Sequence, residues 1–182
     1  RWIAMIIAEN GKSNYKIVIG ENASPSEKHG ASELQMFLKE ISGAELPIVT
    51  DKTPSGDHEI ILGDNAHLHK LGINIDDLGD EGFAIRTVGD RLIIAGGKLR
   101  GTMYGVYTFL EDYLNCRWFT SKVSRIPKKD RIELRRINKT EIPALEYREP
   151  FYTDAFDGDW SARNKMNSTT ARLTKEHGGK VT

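Results

Sequence analysis

The stretch that most constrains this chain is RLIIAGGKLRGTMYGVYTFLEDYLNCRWF, Arg91–Phe119. Arg91–Ala95 is a short apolar, β-rich run, and Gly96–Gly101 is a glycine-rich turn. Met103, Val106, Tyr107, Leu110 and Leu114 then recur at steps of 3, 1, 3 and 4, one stripe of a 3.6-period helix over Thr102–Asn115. A second apolar run, Cys116–Phe119, follows. A glycine turn between strand and helix either cradles a phosphate at the helix N-terminus or lets the helix lie close on its sheet. The spacing here is G-G-x-x-x-G with no Lys-Ser/Thr after Gly101, which is neither the Rossmann nor the P-loop form. Packing is the better reading, because Gly101 and Gly105 stand four apart on one side of the helix. Lys98 and Arg100 are electrostatically misplaced at a helix N-terminus. They are expected to meet an anion or to point into solvent, and a carboxylate from another domain would suit Arg100.

Upstream, Trp2–Ile7 and Tyr15–Ile19 are β-rich runs separated by an Asn10-Gly11 hairpin signal. Ser24, Pro25 and Glu27 form a capping-box start to a helix running to about Ser42, with Gly43 as its stop. Ala31, Leu34, Phe37, Leu38 and Ile41 give it an apolar face. Leu46–Thr50 contains Pro47 and reads as an edge strand. Glu59–Leu62 reads as a buried strand ending at Gly63, and Asp64–Leu71 as one helical turn stopped by Gly72. Gly82–Val88 and Arg91–Ala95 are joined by the two-residue turn Gly89-Asp90. Further short strands are expected at Cys116–Phe119 and Arg131–Leu134. The pattern predicts an α+β fold: a mixed sheet of about 6–8 short strands with two main helices packed on one face.

Lys and Arg together balance Asp and Glu at 26 each, so the long-range attraction of a nucleic-acid or anionic-membrane binder is missing. The run Lys122–Arg136 is basic but lacks interleaved aromatics and reads as a solvated or interdomain surface. No apolar run approaches the ~18 residues of a membrane span. Cys116 has no partner cysteine. His67 and His69, at i,i+2 on a helical turn, point in different directions and are a poor metal pair. Glu27-Lys28-His29 lacks the second histidine of a zincin helix. Glu111 and Asp112 diverge by about 100° and read as a solvated face. Asp76, Asp77, Asp80 and Glu81 form an acidic loop without EF-hand spacing. Neither a cofactor nor a metal is expected.

The character changes after Ile137. Residues 1–137 are expected to form one domain, and 138–182 a linker followed by the start of a second, incomplete one. Asn138–Glu141 is polar, Ile142-Pro143 reads as a link, and Ala144–Arg148 as a new extended run. The last 35 or so residues are too few to bury a core alone. They either open a second domain or pack on the first. Tyr147, Phe151, Tyr152, Phe156 and Trp160 stand beside Arg148, Asp154, Asp157, Asp159, Arg163, Asn164 and Asn167. Flat rings stack on sugar faces while Arg and carboxylates hold hydroxyl pairs, so Arg148, Asp154, Trp160, Arg163 and Asn164 are the candidate substrate-binding residues. Packing of the same aromatics against the first domain is an equal alternative.

Several pieces together resemble a known family: Ala31-Ser32-Glu33-Leu34-Gln35, Phe37-Leu38, Ile41-Ser42-Gly43, Glu81-Gly82-Phe83, Ala95-Gly96-Gly97, Arg100–Tyr107, Phe109-Leu110-Glu111 and Arg117-Trp118-Phe119. They are similar to the N-terminal accessory domain that precedes the catalytic barrel in family-20 β-N-acetylhexosaminidases and family-67 α-glucuronidases, over roughly residues 15–150. The resemblance implies an α+β sandwich without catalytic residues, followed by a barrel. It implies a bacterial glycoside hydrolase as parent, inactive in this chain alone, with carbohydrate bound through the rest of the protein. It also implies a periplasmic or extracellular location after removal of a signal peptide not present in this chain. Tyr147-Arg148 resembles the first barrel strand, where family 20 places a sugar-binding arginine, although Glu149 stands where a glycine is usual. The alternatives are a carbohydrate-binding module using the aromatic cluster 147–160 and a small enzyme with a phosphate-ligand site at Gly96–Gly101.

Overall fold

A computed structural model of the chain describes residues 4–181. Its centre is a six-stranded mixed sheet. In chain order the strands are β1 (Met5–Glu9), β2 (Lys16–Ile19), β3 (Ile48–Thr50), β4 (Glu59–Leu62), β5 (Phe83–Val88), β6 (Arg91–Gly96), β7 (Arg117–Trp118), β8 (Ser124–Arg125), β9 (Arg131–Leu134) and β10 (Asn138–Glu141). The helices are α1 (Pro25–Ser42), α2 (Ala66–Lys70), α3 (Gly101–Leu114) and α4 (Gly158–Arg163). The sheet order is β10-β5-β6-β4-β2-β3, with β3, β2, β4 and β6 parallel and β5 antiparallel to both its neighbours, β6 and β10.

The period-2 alternation of the central strands sorts their side chains between two faces. Ile17, Ile19, Ile60, Leu62, Phe83, Ile85, Leu92 and Ile94 join the main core beneath α1 and α3. Ile61, Ile93 and Ala95 face the other way and are covered by Leu68 of α2 and by Leu71, Ile73 and Ile75. The two main helices therefore lie on one face, as expected. Ser24 caps α1 by accepting from the Glu27 amide while the Glu27 carboxylate accepts from the Ser24 amide, and Gly43 ends the helix at φ +79°. The Pro47 strand is at the sheet edge, and Gly89 closes the β5–β6 hairpin at φ +59°.

The first strand departs from expectation. Trp2 and Ile3 lie outside the described residues. The Asn10-Gly11 turn forms, with both residues at positive φ (51° and 74°) and reciprocal Glu9–Lys12 backbone bonds. It does not join β1 to β2. Instead β1 pairs with β9 in a separate two-stranded ribbon, Met5 opposite Leu134 and Glu9 opposite Arg131. The cause is burial. Ile17, Val18 and Ile19 are buried on both faces and require a central place in the sheet, whereas β1 exposes Ile6. Two expectations near the C-terminus also change. Asn138–Glu141, read as polar link, is the edge strand β10 against β5, so the sheet continues to Glu141. Ala144–Arg148 forms no strand.

The glycines of the central stretch act by close approach. A Cβ at Gly105 would sit 2.7 Å from Ile94 Cγ2 and 3.3 Å from Phe83 Cβ on the sheet. A Cβ at Gly96 or Gly101 would collide with the Gly82 carbonyl, and one at Gly97 with the Gly79 carbonyl. In an ordinary helix Gly→Ala stabilises by about 1 kcal/mol. At Gly105 the overlap reverses the sign, and Gly105→Ala is expected to destabilise by about 1–3 kcal/mol in urea unfolding. A raised midpoint would contradict this packing account.

Candidate functional site

At the glycine turn the Gly97, Arg100 and Gly101 amides are taken by carbonyls of the chain itself rather than left for a phosphate. The Asp80 carbonyl accepts from both Arg100 N and Gly101 N (3.1 Å each), and the Gly82 carbonyl accepts from Gly97 N (2.9 Å). The loop that supplies these carbonyls also carries Glu81, which the collision-free glycines allow to press against the mouth of α3. Glu81 is the centre of a buried charge cluster. Its Oε1 accepts from Arg100 Nε at 2.7 Å and from Asn167 Nδ2 at 2.8 Å, and its Oε2 accepts from Arg148 Nη2 at 2.6 Å. Arg100 thus meets the anion its position called for. That anion comes from the same domain, and Arg100 Nη1 reaches on to the Gly178 carbonyl at 2.9 Å.

These bonds form a seam between the sheet unit, ending at Glu141, and the segment 142–181. Arg148 donates from each of its guanidinium nitrogens, through Nε to the Lys165 carbonyl, Nη1 to the Leu145 carbonyl and Nη2 to Glu81. Its guanidinium lies over the Tyr104 ring, 5.7 Å from the centroid. Burial, then the Glu81 charge, pushes the Tyr104 phenol up to about 12. Asn167 is held on both ends, donating to Glu81 and accepting from Arg148 N at 2.8 Å.

A second pair lies further along the seam. Arg163 forks onto Glu33 of α1, with Nε–Oε1 at 3.1 Å and Nη2–Oε2 at 3.3 Å, and stacks 5.2 Å from the Phe37 centroid. Burial opposes its charge, and the Glu33 carboxylate, with Tyr107 and Asp159 adding to it, raises its pKa. Tyr107 donates to Glu33 Oε1 at 2.9 Å. Burial first and Glu33 second hold that phenol well above its ordinary range, so it remains a donor. Trp160 is buried and donates through Nε1 to the Trp118 carbonyl at 3.1 Å, and Asn164 Nδ2 donates to the same carbonyl at 3.2 Å. Asp154 accepts from Ser121 N and Oγ, both at 2.7 Å, and those bonds hold its carboxyl below the usual range.

All five candidate binding residues therefore touch other parts of the chain. Arg148 and Asn164 also line a groove of about 300 Å³ between Phe83 and Tyr104 on one side and Leu145, Lys165 and Met166 on the other. Asp154, Trp160 and Arg163 do not line it. Of the lining residues, Glu141 alone carries a carboxylate. The aromatic cluster divides: Phe151, Tyr152 and Tyr147 are exposed, while Trp160 is covered. Phe151 meets Phe156 edge to face at 85°, and Tyr152 meets Trp160 at 75°, so the rings form no coplanar platform.

Other residues singled out in the sequence have local partners. His67 Nδ1 pairs with Glu59 and its Nε2 with the Thr53 carbonyl, while His69 pairs with Asp64. Glu81 of the acidic loop is spent on Arg100 and Arg148. Sequence reasoning missed the hub role of Glu81 and Asn167 and the pairing of Glu33 with Arg163. Their separations of 67 to 130 residues carry no periodic signal. It also missed that His29, Asp159 and His177 come together as three potential metal ligands.

Removing one partner from a buried pair leaves the other charge stranded. Glu81→Gln is expected to lower stability by about 3 kcal/mol and to make 142–181 the first part cut in limited proteolysis. Arg131→Gln, in an exposed ion pair with Glu9 and Glu133, is expected to cost less than about 1 kcal/mol. Equal losses in the two variants would show that the hub does not hold the segment.

Comparison with solved structures gives the same architecture. A family GH115 4-O-methyl-α-glucuronidase with specificity for decorated arabinogalactans matches at 20% identity and TM-score 0.57, over 79% of this chain and 19% of that one. A mutant Streptomyces plicatus β-hexosaminidase in complex with its product GlcNAc matches at 15% identity and TM-score 0.53, over 92% of this chain and 31% of that one. A Flavobacterium johnsoniae chitobiase matches at 16% identity and TM-score 0.52, over 92% and 24%. These likenesses show the fold, and this chain spans less than a third of each of those three chains. No curated protein matches it. Among the described residues no helix is long and apolar enough to cross a membrane. The family described as Glycosyl hydrolase family 67 N-terminus matches residues 7–109, more than half of the chain, and the chain belongs to that family.

Proposed function

We propose that this chain is the N-terminal accessory domain of an exported, carbohydrate-active protein together with the opening of its catalytic barrel, and that its work is to hold that opening in place. The observation that carries the reading is the seam. Two buried carboxylates of the sheet unit, Glu81 and Glu33, grip Arg148 and Arg163 of the following segment. Bidentate and multiply bonded guanidinium contacts fix orientation more than they add stability. Family membership supports the same role, since the domain is an N-terminal piece of glycosyl hydrolases. In this reading the sheet unit ends at Glu141, with β10 as its last strand.

A glycosidase needs two carboxylates flanking the scissile bond, about 5–9.5 Å apart. The groove offers Glu141 alone, and Asp154, Asp157 and Asp159 are each bonded within the chain, to Ser121, the Trp160 amide and His177. The catalytic acids in this proposal come from sequence beyond Thr182, and carbohydrate is the parent protein's substrate. Arg148 and Asn164, which line the groove, are the residues placed to touch a sugar from this chain.

The test is an assay of the 182-residue chain against a panel of nitrophenyl glycosides, with calorimetry against oligosaccharides. No turnover and no heat of binding are expected. Measurable turnover would overturn the accessory role, and saturable oligosaccharide binding without turnover would favour a free-standing binding module built on the exposed aromatics.

A further inference from the structure

We propose that His29, Asp159 and His177 form a divalent-cation site of the zinc class across the seam between α1 and the C-terminal segment. One ring nitrogen from each histidine and an Asp159 carboxylate oxygen all lie within 4.8 Å of one another. Two imidazoles and one carboxylate are a donor set suited to zinc and its neighbours, while calcium and magnesium prefer oxygen cages.

Three further features point to an ion. His29 Nε2 is buried and has no hydrogen-bond partner, whereas buried polar atoms in folded chains ordinarily have one. The His29 and His177 ring centroids are 5.0 Å apart at an interplanar angle of 78°. Two imidazoles on one tetrahedral zinc, with bonds of about 2.0–2.1 Å, stand at about that separation. Access is from Asp159, whose side chain is 55% exposed while His177 is 7% exposed. That leaves room for a water as fourth ligand, the arrangement of an open zinc site. Glu33 Oε1 is 3.6 Å from His29 Nε2. It is already held by Tyr107 and Arg163 and adds negative charge beside the ligating atoms.

Without an ion, His177 Nε2 donates to Asp159 Oδ1 at 2.8 Å and its Nδ1 accepts from Thr174 N at 3.0 Å. Binding needs the other tautomer. The Nε2 proton is lost, Nε2 takes the ion, and Nδ1 gains a proton that it donates to Thr174 Oγ1, 3.1 Å away. Such a bond behind a ligating histidine fixes its ring. The Thr174 amide loses its acceptor in the exchange, which weakens the site relative to a closed structural one.

The experiment titrates chelator-treated chain with Zn²⁺ alone by calorimetry, and follows thermal melting with and without the ion. One saturable site is expected, with a higher melting temperature in its presence. His29→Gln and Asp159→Asn are expected to weaken it at least about tenfold, with unchanged circular dichroism of the ion-free variants. His69→Gln, which alters the exposed His69–Asp64 pair, is expected to leave it unchanged. Absence of saturable binding in the folded chain, equal affinity in His29→Gln and Asp159→Asn, or loss of binding in His69→Gln would each overturn the proposal.

Discussion

The close approach of α3 to the β5–β6 hairpin governs the rest of the molecule. Gly101 and Gly105 remove the side chains that would hold the helix off Gly82, Phe83 and Ile94. With the helix seated, the Asp80 carbonyl takes the Arg100 and Gly101 amides at its start, and the Gly82 carbonyl takes the Gly97 amide of the turn. That places Glu81 at the positive end of the helix, where a carboxylate is favoured. Arg100, at the helix start, is a cation against the dipole, and the Glu81 carboxylate reverses its local balance. The same carboxylate has a second oxygen, and Arg148 takes it. A packing requirement in the core thus ends as a recognition point for the segment that follows.

Local chemistry was legible where the signal is local. The Ser24–Glu27 box, the Gly43 stop, the Gly89-Asp90 hairpin and the edge position of the Pro47 strand all follow from backbone rules that act within a few residues. The central glycine turn was also readable as packing, because its spacing fits no phosphate loop. What failed was pairing over distance. The Asn10-Gly11 turn is real, yet the strands on either side part company, because the burial demand of Ile17–Ile19 outweighs the hairpin. Nor does a polar tetrapeptide such as Asn138–Glu141 announce itself as a strand. Its backbone bonds to β5 make it one.

The site was legible as a set of residue types and opaque as a geometry. Arg148, Arg163, Asn164 and Trp160 were picked out for sugar chemistry, and each proves to be tied to the sheet unit. A guanidinium suits a carboxylate as well as a vicinal diol, and sequence cannot say which it meets. Glu33 and Glu81 lie on elements read for their helical stripe and their acidic loop. Their partners lie up to 130 residues away. The burial of both carboxylates gives these contacts their value as guides to orientation, since replacing such pairs by apolar groups often costs little stability.

Strand β10 has a consequence for where this unit can be divided. Cutting the chain at Ile137, where the composition changes, would strip β5 of β10, its neighbour on the outer side, and leave a row of open amides and carbonyls beside Phe83, Ala84 and Ile85. Such an edge is a template for association between copies. In the intact chain the outermost position is taken by Asn138-Lys139-Thr140-Glu141, whose Lys139 is paired with Asp112 at 2.8 Å and flanked by Glu141. Charged side chains at a sheet margin discourage further strands from adding. This polar tetrapeptide therefore closes the sheet margin, and a sheet unit cut before it would present β5 as an open edge.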